Sequence, residues 1–365
     1  MTSPQAAAPA GRLRTGGFAS LRIGRIEPLV SDSVAITLDG ADAYGSVFEF
    51  RAGQHVTLRR DFEGQEIRRS YSICAAAGSS RPRIAVRRIE GGLMSTWLTQ
   101  LAQVGDPVDV ASPTGDFGRG IEEATGRLIG LIGAGSGVTP LASIAATHLA
   151  ADPRSAVLMV LGNRTSASVM LAEDLYDLKN RYPARMHLVH VFSREQQAAP
   201  ELNGHLGPDR LTRLLRGFRG PAAAGWYLCG PMPVVDNARA ALADQGVNPA
   251  AVHSELFYAE SLDRPAGLSR SVTESTVVAT LNGRRTTVTT SDADRSILEV
   301  LLSVRSDAPF ACKSGVCGSC RAQCVSGEVV MRANFALEAP EVEAGVILTC
   351  QALPASSRVE LEYLS

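Results

Sequence analysis

A chain of 365 residues, 45% hydrophobic and 20% charged, is long enough for two or three domains with sizeable cores. Its formal net charge of −1 lacks the basic excess that would point to nucleic acid or an anionic membrane surface. Seven cysteines, four of them claimed by one C-terminal constellation, do not make a secreted disulfide scaffold.

Residues 1–18 are small and polar, lack the apolar stretch of a signal peptide and are expected to form a disordered tail. No apolar run reaches the about 18 residues of a membrane-spanning helix, so a cytoplasmic protein is expected. From 19 to 122, short alternating segments such as S-V-A-I-T-L, Q-H-V-T-L-R-R and R-I-A-V-R-R-I-E are broken by Gly, Pro and Asp, which predicts an antiparallel β-barrel or sandwich. One segment, R-R-S-Y-S-I-C, contains Arg69, Tyr71 and Ser72. An arginine for phosphate, an aromatic face for a flavin ring and a hydroxyl for a ring nitrogen would form one set. An ordinary exposed strand has the same composition.

From 123 to 258 the rhythm becomes strand then helix, which predicts a parallel sheet covered by helices. G-A-G-S-G-V-T-P, residues 133–140, follows a strand and opens a helix. Gly133, Gly135 and Gly137 would let a pyrophosphate approach the backbone, and a helix N-terminus favours negative charge. Val138 stands where the regular dinucleotide fingerprint has its third glycine, and a purely structural turn is the alternative. Further loops at strand ends carry Arg164 in G-N-R-T, Ser193 and Arg194 in S-R-E-Q, and Cys229 in C-G-P-M-P. Arginine suits a ribose 2′-phosphate, so the Ser193–Arg194 pair favours NADPH over NADH. The bland readings are solvated loop arginines and a packed thiol.

Residues 259–275, rich in Ser and Thr with Pro265 and Gly267, predict a linker. A hairpin turning at Asn282–Gly283 and a short helix, R-S-I-L-E-V-L-L-S-V, precede the cysteines. Cys312, Cys317 and Cys320 form a C-x4-C-x2-C run, and Cys350 follows after a long gap. That is plant-type [2Fe–2S] spacing, and Gly315, Gly318 and Ser319 permit the tight wrap it needs. Four-thiolate zinc is the rival, although zinc sites usually show two C-x2-C pairs. Cys324 is read as a packed thiol on the strand that leaves the loop.

R-x-Y-S at Arg69–Ser72, G-G-L-M-S at Gly91–Ser95, G-x-G-x-G-V-T-P, C-G-P and the cysteine run follow one another in this chain. In that order they resemble the ferredoxin–NADP reductase superfamily with a fused plant-type ferredoxin, over nearly all of 19–365. Within it, G-N-R-T-S-A-S-V-M-L, A-C-K-S-G-V-C-G-S-C and V-I-L-T-C-Q-A-L-P resemble the phenylacetyl-CoA epoxidase (ring 1,2-epoxidase) reductase branch. Ketosteroid 9α-hydroxylase reductases share the domain order.

The resemblance implies an FAD barrel at 19–122, an NADP-binding domain at 123–258, the linker, and a β-grasp [2Fe–2S] ferredoxin domain at 276–365. It implies that Arg69 holds the flavin pyrophosphate, Tyr71 packs on the ring, Ser72 approaches its N5 edge, and Ser95 and Thr96 add phosphate contacts. Gly133, Gly135, Gly137, Thr139, Pro140, Arg164, Ser193, Arg194, Cys229 and Gly230 would line the NADPH site. Ser72, Cys229 and Glu255 would stand nearest the reacting atoms, with Phe257 beside the flavin. The partner would be the oxygenase subunits of a multicomponent monooxygenase. A stand-alone quinone or dye reductase and a non-enzymatic redox sensor are the readings from other classes.

Overall fold

The structure, a computed structural model, describes residues 11, 13, 14, 16–218, 222–257, 274–291 and 295–363. Most of the expected tail and nearly all of the expected linker lie outside these residues. The chain divides into two compact units, Met1–Ser254 and Glu255–Ser365.

The first unit opens with six antiparallel strands. They are β1 (Phe18–Val30), β2 (Ser33–Asp39), β3 (His55–Phe62), β4 (Gln65–Ser72), β5 (Arg83–Arg87) and β6 (Pro107–Ala111), in the spatial order β4-β3-β6-β1-β2-β5. A bridge between Ile73 and Ile84 joins the two ends of this order and closes a barrel. Alternation along the strands sends Leu21, Ile23, Ile36, Leu38, Val56, Leu58 and Val110 inward, where Trp97 and Leu98 from the turns after β5 join them. The short helix α1 (Leu93–Thr96) begins those turns. Between β3 and β4, Glu63 (φ 54°) and Gly64 (φ 85°) are both left-handed, and Asp61 accepts the Gly64 N–H at 2.9 Å. Two such residues match the twist of a tight hairpin.

The same unit continues as a five-stranded sheet. Its strands are β7 (Leu128–Ala134), β8 (Ala156–Asn163), β9 (Met186–Phe192), β10 (Trp226–Gly230) and β11 (Val252–Leu256), in the order β11-β10-β7-β8-β9. The β7–β8, β8–β9 and β10–β7 pairings are parallel. Helices α2 (Val138–Ala151), α3 (Ala172–Arg181), α4 (Pro208–Gly217) and α5 (Met232–Ala243) connect the strands. Burial on both faces explains the unbroken apolar runs of β7, β8 and β10. The strand order reverses at β7, so the crevice beyond its carboxyl end is the place where such sheets bind ligands. The division between the two units falls inside β11.

Arginines lace the barrel to this sheet. Arg83 on β5 donates to Glu27 of β1 at 3.3 Å and to Asp174 of α3 at 2.7 Å. Four residues on, Arg87 donates to Asp32 at 3.2 Å and to the Ser168 carbonyl at 3.0 Å.

The second unit is a mixed sheet of β12 (Ser275–Leu281), β13 (Arg284–Thr290), β14 (Arg321–Ser326), β16 (Val346–Leu348) and β18 (Arg358–Tyr363), ordered β13-β12-β18-β14-β16. A smaller pair joins β15 (Val329–Met331) to β17 (Ala352–Pro354). Helix α6 (Ile297–Leu302) buries Ile297, Leu298, Val300 and Leu301 against Val277, Val359 and Leu361 of the sheet. A capping box starts it: the Glu299 N–H donates to Ser296 Oγ at 3.2 Å, and the Ser296 N–H to the Glu299 carboxylate at 2.7 Å. The short helix α7 (Ala339–Glu343) precedes β16. The Asn282–Gly283 turn forms as its sequence predicts, both residues left-handed at φ 51° and 71°.

Gly130 in β7 illustrates how tightly the parallel sheet is built. A Cβ placed there would lie 2.2 Å from the ring of the fully buried Trp226. Gly130→Ala is expected to destabilise the fold by about 1–3 kcal/mol, the range for overpacking. Chemical denaturation followed by tryptophan fluorescence checks this, and an unchanged midpoint contradicts the packing argument.

Candidate functional site

Glycines allow the crevice at the end of β7 to form at all. A Cβ on Gly137 would lie 2.2 Å from the Cys229 carbonyl oxygen, and one on Gly133 would lie 2.9 Å from the same atom. The loop after β7 therefore packs directly on the end of β10. Gly135 (φ +57°) faces open space apart from Arg87, whose Nη1 is 3.4 Å from the position a Cβ would take. Gly230 holds φ +149° against the Ala134 backbone, a conformation that only glycine adopts freely. Val138, at the place of the missing third glycine, is buried. The Thr139 hydroxyl donates to the Ser136 carbonyl at 3.0 Å, so it stiffens the loop, and Pro140 is buried behind it. Cys229 has no exposed surface.

The loops after β8 and β9 lie side by side. The Ser193 N–H donates to the Asn163 carbonyl at 3.0 Å and the Arg194 N–H to the Arg164 carbonyl at 2.8 Å. Both arginines are exposed. Among the described residues neither guanidinium has a hydrogen-bonding or ionic partner. Glu195, which no sequence motif singles out, also sits in this loop. Its carboxylate accepts from the Ser166 N–H at 2.7 Å and from the Ser166 hydroxyl at 2.8 Å. The fit to a dinucleotide is good: glycine backbone at a helix N-terminus, and two unpaired cations at the neighbouring strand ends.

In the barrel, Arg69 stands opposite Leu58, Tyr71 opposite Val56 and Ser72 opposite His55. Strand alternation puts Arg69 and Tyr71 on one face and Ser72 on the other. Arg69 is exposed, with Nη1 donating to the Arg68 carbonyl at 2.7 Å. Tyr71 is half-buried against the barrel core, and burial pushes its phenol well above the ordinary range while Arg69 pulls the other way. A cation and an aromatic ring on one face suit a phosphate and a flavin ring. The Ser95 hydroxyl is buried in its own loop, accepting from the Ile89 N–H and donating to the Gly92 carbonyl, each at 3.1 Å. The Thr96 N–H closes the same turn on the Gly92 carbonyl at 3.0 Å. Glu255 on β11 and Phe257 just beyond it are half-buried. No motif marks Arg87; its only trace in the sequence is a place on an alternating strand.

The cysteine loop folds through left-handed Lys313, Gly315 and Gly318, at φ 60°, 79° and 67°. These turns aim backbone N–H groups at sulfur: Ser314 and Val316 at Cys312, Ser319 at Cys317, and Gly315 at Cys350. Pairing of β14 with β16 returns the distant fourth cysteine, and Thr349 fixes it by donating N–H and Oγ–H to the Cys320 carbonyl at 3.1 and 3.0 Å. The thiols meet as two pairs, Cys312 with Cys317 and Cys320 with Cys350. Donation from Cys317 lowers the Cys312 thiol and donation from Cys320 lowers Cys350, while the two donors are pushed up. Two thiol pairs ringed by N–H donors suit two irons with two thiolates each. Among the described residues no three Cys, His, Asp or Glu side chains gather as a single zinc ion would need. Cys324 stands apart on β14, its sulfur 3.7 Å from the Ser326 and Gly327 carbonyls.

Two substitutions separate these centres. Gly137→Ala is expected to cut nicotinamide-driven reduction at least about tenfold, because its methyl cannot coexist with the Cys229 carbonyl. The visible spectrum of bound cofactors should persist, and unchanged kinetics would refute the close approach. Cys350→Ser should abolish the iron–sulfur absorption and Cys324→Ser should leave it intact; the reverse pattern would reassign the fourth ligand.

Comparison with known proteins bears on all three regions. Residues 27–118 match the oxidoreductase FAD-binding domain, 131–240 the oxidoreductase NAD-binding domain and 279–355 the 2Fe-2S iron-sulfur cluster binding domain. The chain is 35% identical over 350 residues to a subunit of the 1,2-phenylacetyl-CoA epoxidase of Escherichia coli, covering 95% of this chain and 98% of that one. It is 32% identical over 320 residues to the ferredoxin reductase component of 3-ketosteroid-9-alpha-monooxygenase of Mycobacterium tuberculosis, covering 86% and 85%. Among solved structures, phthalate dioxygenase reductase superposes with a TM-score of 0.59 at 25% identity, covering 96% of this chain and 100% of that one. The chain therefore belongs to the family of flavin and iron–sulfur oxidoreductases, fused from FAD-, NAD- and [2Fe–2S]-binding domains, that includes these oxygenase reductase components.

Proposed function

We propose that this protein is the cytoplasmic reductase component of a phenylacetyl-CoA epoxidase, taking electrons from NADPH and delivering them to the oxygenase subunits of that system. One observation carries the reading: 35% identity to the Escherichia coli epoxidase subunit extends over 95% of the chain, through all three domains in one order. When bound, FAD accepts the two electrons of a hydride and the [2Fe–2S] cluster forwards them singly.

The chain's own residues bind and orient. The loop from Gly133 to Gly137, with Thr139 and Pro140 behind it, offers backbone N–H groups to the nucleotide pyrophosphate. Arg164, Ser193 and Arg194 hold the ribose 2′-phosphate. Cys229 and Gly230 shape the nicotinamide end. Arg69 neutralises the flavin pyrophosphate, Tyr71 covers the ring, and Ser72 orients its reactive edge. Ser95 and Thr96 shape the loop that faces the phosphates, and Glu255 and Phe257 complete the flavin surroundings. Cys312, Cys317, Cys320 and Cys350 ligate the cluster. No side chain need act as nucleophile, because the cofactors carry the chemistry.

The test is NADPH oxidation with phenylacetyl-CoA epoxidase oxygenase subunits, phenylacetyl-CoA and O2. Oxidation should rise sharply only with all components, and epoxide should accumulate. If NADPH reduces the protein but these subunits change nothing, the partner is wrong, and a ketosteroid 9α-hydroxylase is the next acceptor to try. Full turnover with a small quinone alone would favour a stand-alone reductase. For the nucleotide, Arg194→Ala should raise the KM for NADPH about tenfold, the scale of one charge-assisted hydrogen bond. The KM for NADH should move much less; equal shifts would remove Arg194 from the 2′-phosphate.

A further inference from the structure

The acid next to Arg194 is bonded away from the arginines. Glu195 follows Arg194 directly and could pair with it or with Arg164, yet no ion pair to either forms among the described residues. Its Oε2 accepts instead from the Ser166 N–H at 2.7 Å and the Ser166 hydroxyl at 2.8 Å. The hook is firmly mounted. Thr165 and Ser168 close a capping box around the Ser166–Ser168 turn, with the Thr165 N–H on Ser168 Oγ at 3.0 Å. Arg87 holds the Ser168 carbonyl from the barrel at 3.0 Å. Elsewhere in this unit, arginines beside acids do pair with them, as Arg59 does with Asp109 at 2.8 Å and Arg83 with Asp174 at 2.7 Å.

We propose that Ser166 and Glu195 form a specificity-determining pair, in which Ser166 sequesters the Glu195 carboxylate so that Arg164 and Arg194 stay free for the 2′-phosphate of NADPH. The inference rests on the 2′-phosphate reading of those arginines and deepens it. A carboxylate released from Ser166 would neutralise a guanidinium and repel a phosphate arriving at the same place. Both groups are positioning residues, because they act through the arginines. The site is exposed, so the effect is modest and salt-sensitive.

The experiment uses the full-length, cofactor-loaded protein and reads steady-state KM for NADPH and NADH, with inhibition by 2′,5′-ADP and by ADP as probes without a nicotinamide. In Ser166→Ala, the NADPH preference and the preference for 2′,5′-ADP over ADP should both fall by about three- to tenfold. The loss should shrink as ionic strength rises. The double variant Ser166→Ala/Glu195→Gln should regain the preference, because the repelling charge is gone; a local distortion caused by losing Ser166 would not be rescued this way. If the preference survives both Ser166→Ala and Ser166→Pro, which at this first position of the turn removes the backbone donor as well, or if Glu195→Gln does not rescue the loss, the pairing has no part in specificity, whatever the arginines themselves bind. If the wild-type protein does not prefer 2′,5′-ADP over ADP, the 2′-phosphate reading falls and this inference with it.

Discussion

The carbonyl of Cys229 occupies the space in which any side chain at position 137 would have to stand. The nucleotide crevice follows from this contact. Because residue 137 has no Cβ, the loop after β7 can lie flat on the end of β10, and α2 begins at the sheet's reversal point. Gly133, sterically tied to the same carbonyl and to Leu141, holds the strand side of the loop. Cys229 matters to the crevice first through its backbone. That explains why a fully buried residue sits in the middle of a functional motif.

Much of this was legible in the chain. The barrel could be read from period-two alternation, the α/β lobe from unbroken apolar strands separated by helical periods, and the iron–sulfur domain from cysteine spacing. Local chemistry wrote those signals, and the Asn282–Gly283 turn is the plainest case. What the sequence hid depends on residues far apart in the chain. Arg87 touches Asp32, Ser168 and the approach to Gly135, and none of these lies near it in sequence. Ser95 reads as a phosphate ligand at a helix start, but its hydroxyl is bonded within the preceding loop. Glu195 was in plain sight, yet its role depends on a serine 29 residues away.

Charge is handled differently in the two halves of the first unit. Arg83 and Arg87 of the barrel are paired with acids and double as struts, each reaching from a barrel carboxylate to an acceptor on the parallel-sheet side. At the ends of β8 and β9 the arrangement reverses: the cations are exposed and the nearby acid is bound elsewhere. Paired arginines stiffen a fold, whereas unpaired ones wait for an anion. The contrast separates scaffold from site more sharply than composition can.

The cysteine constellation also carries an order of assembly. Three thiols belong to one short loop and are neighbours even in an unfolded chain. The fourth arrives only when β16 pairs with β14 and Thr349 seats itself on the Cys320 carbonyl. Gathering of all four thiols therefore depends on the sheet as well as on the loop. A cluster held by all four thiols would depend on that pairing as much as on the loop. The hydroxyl of Tyr363, donating to Thr349 Oγ1 at 3.3 Å, ties β18 to the same seat, so a change at the far end of the described sheet would be felt where the fourth cysteine stands.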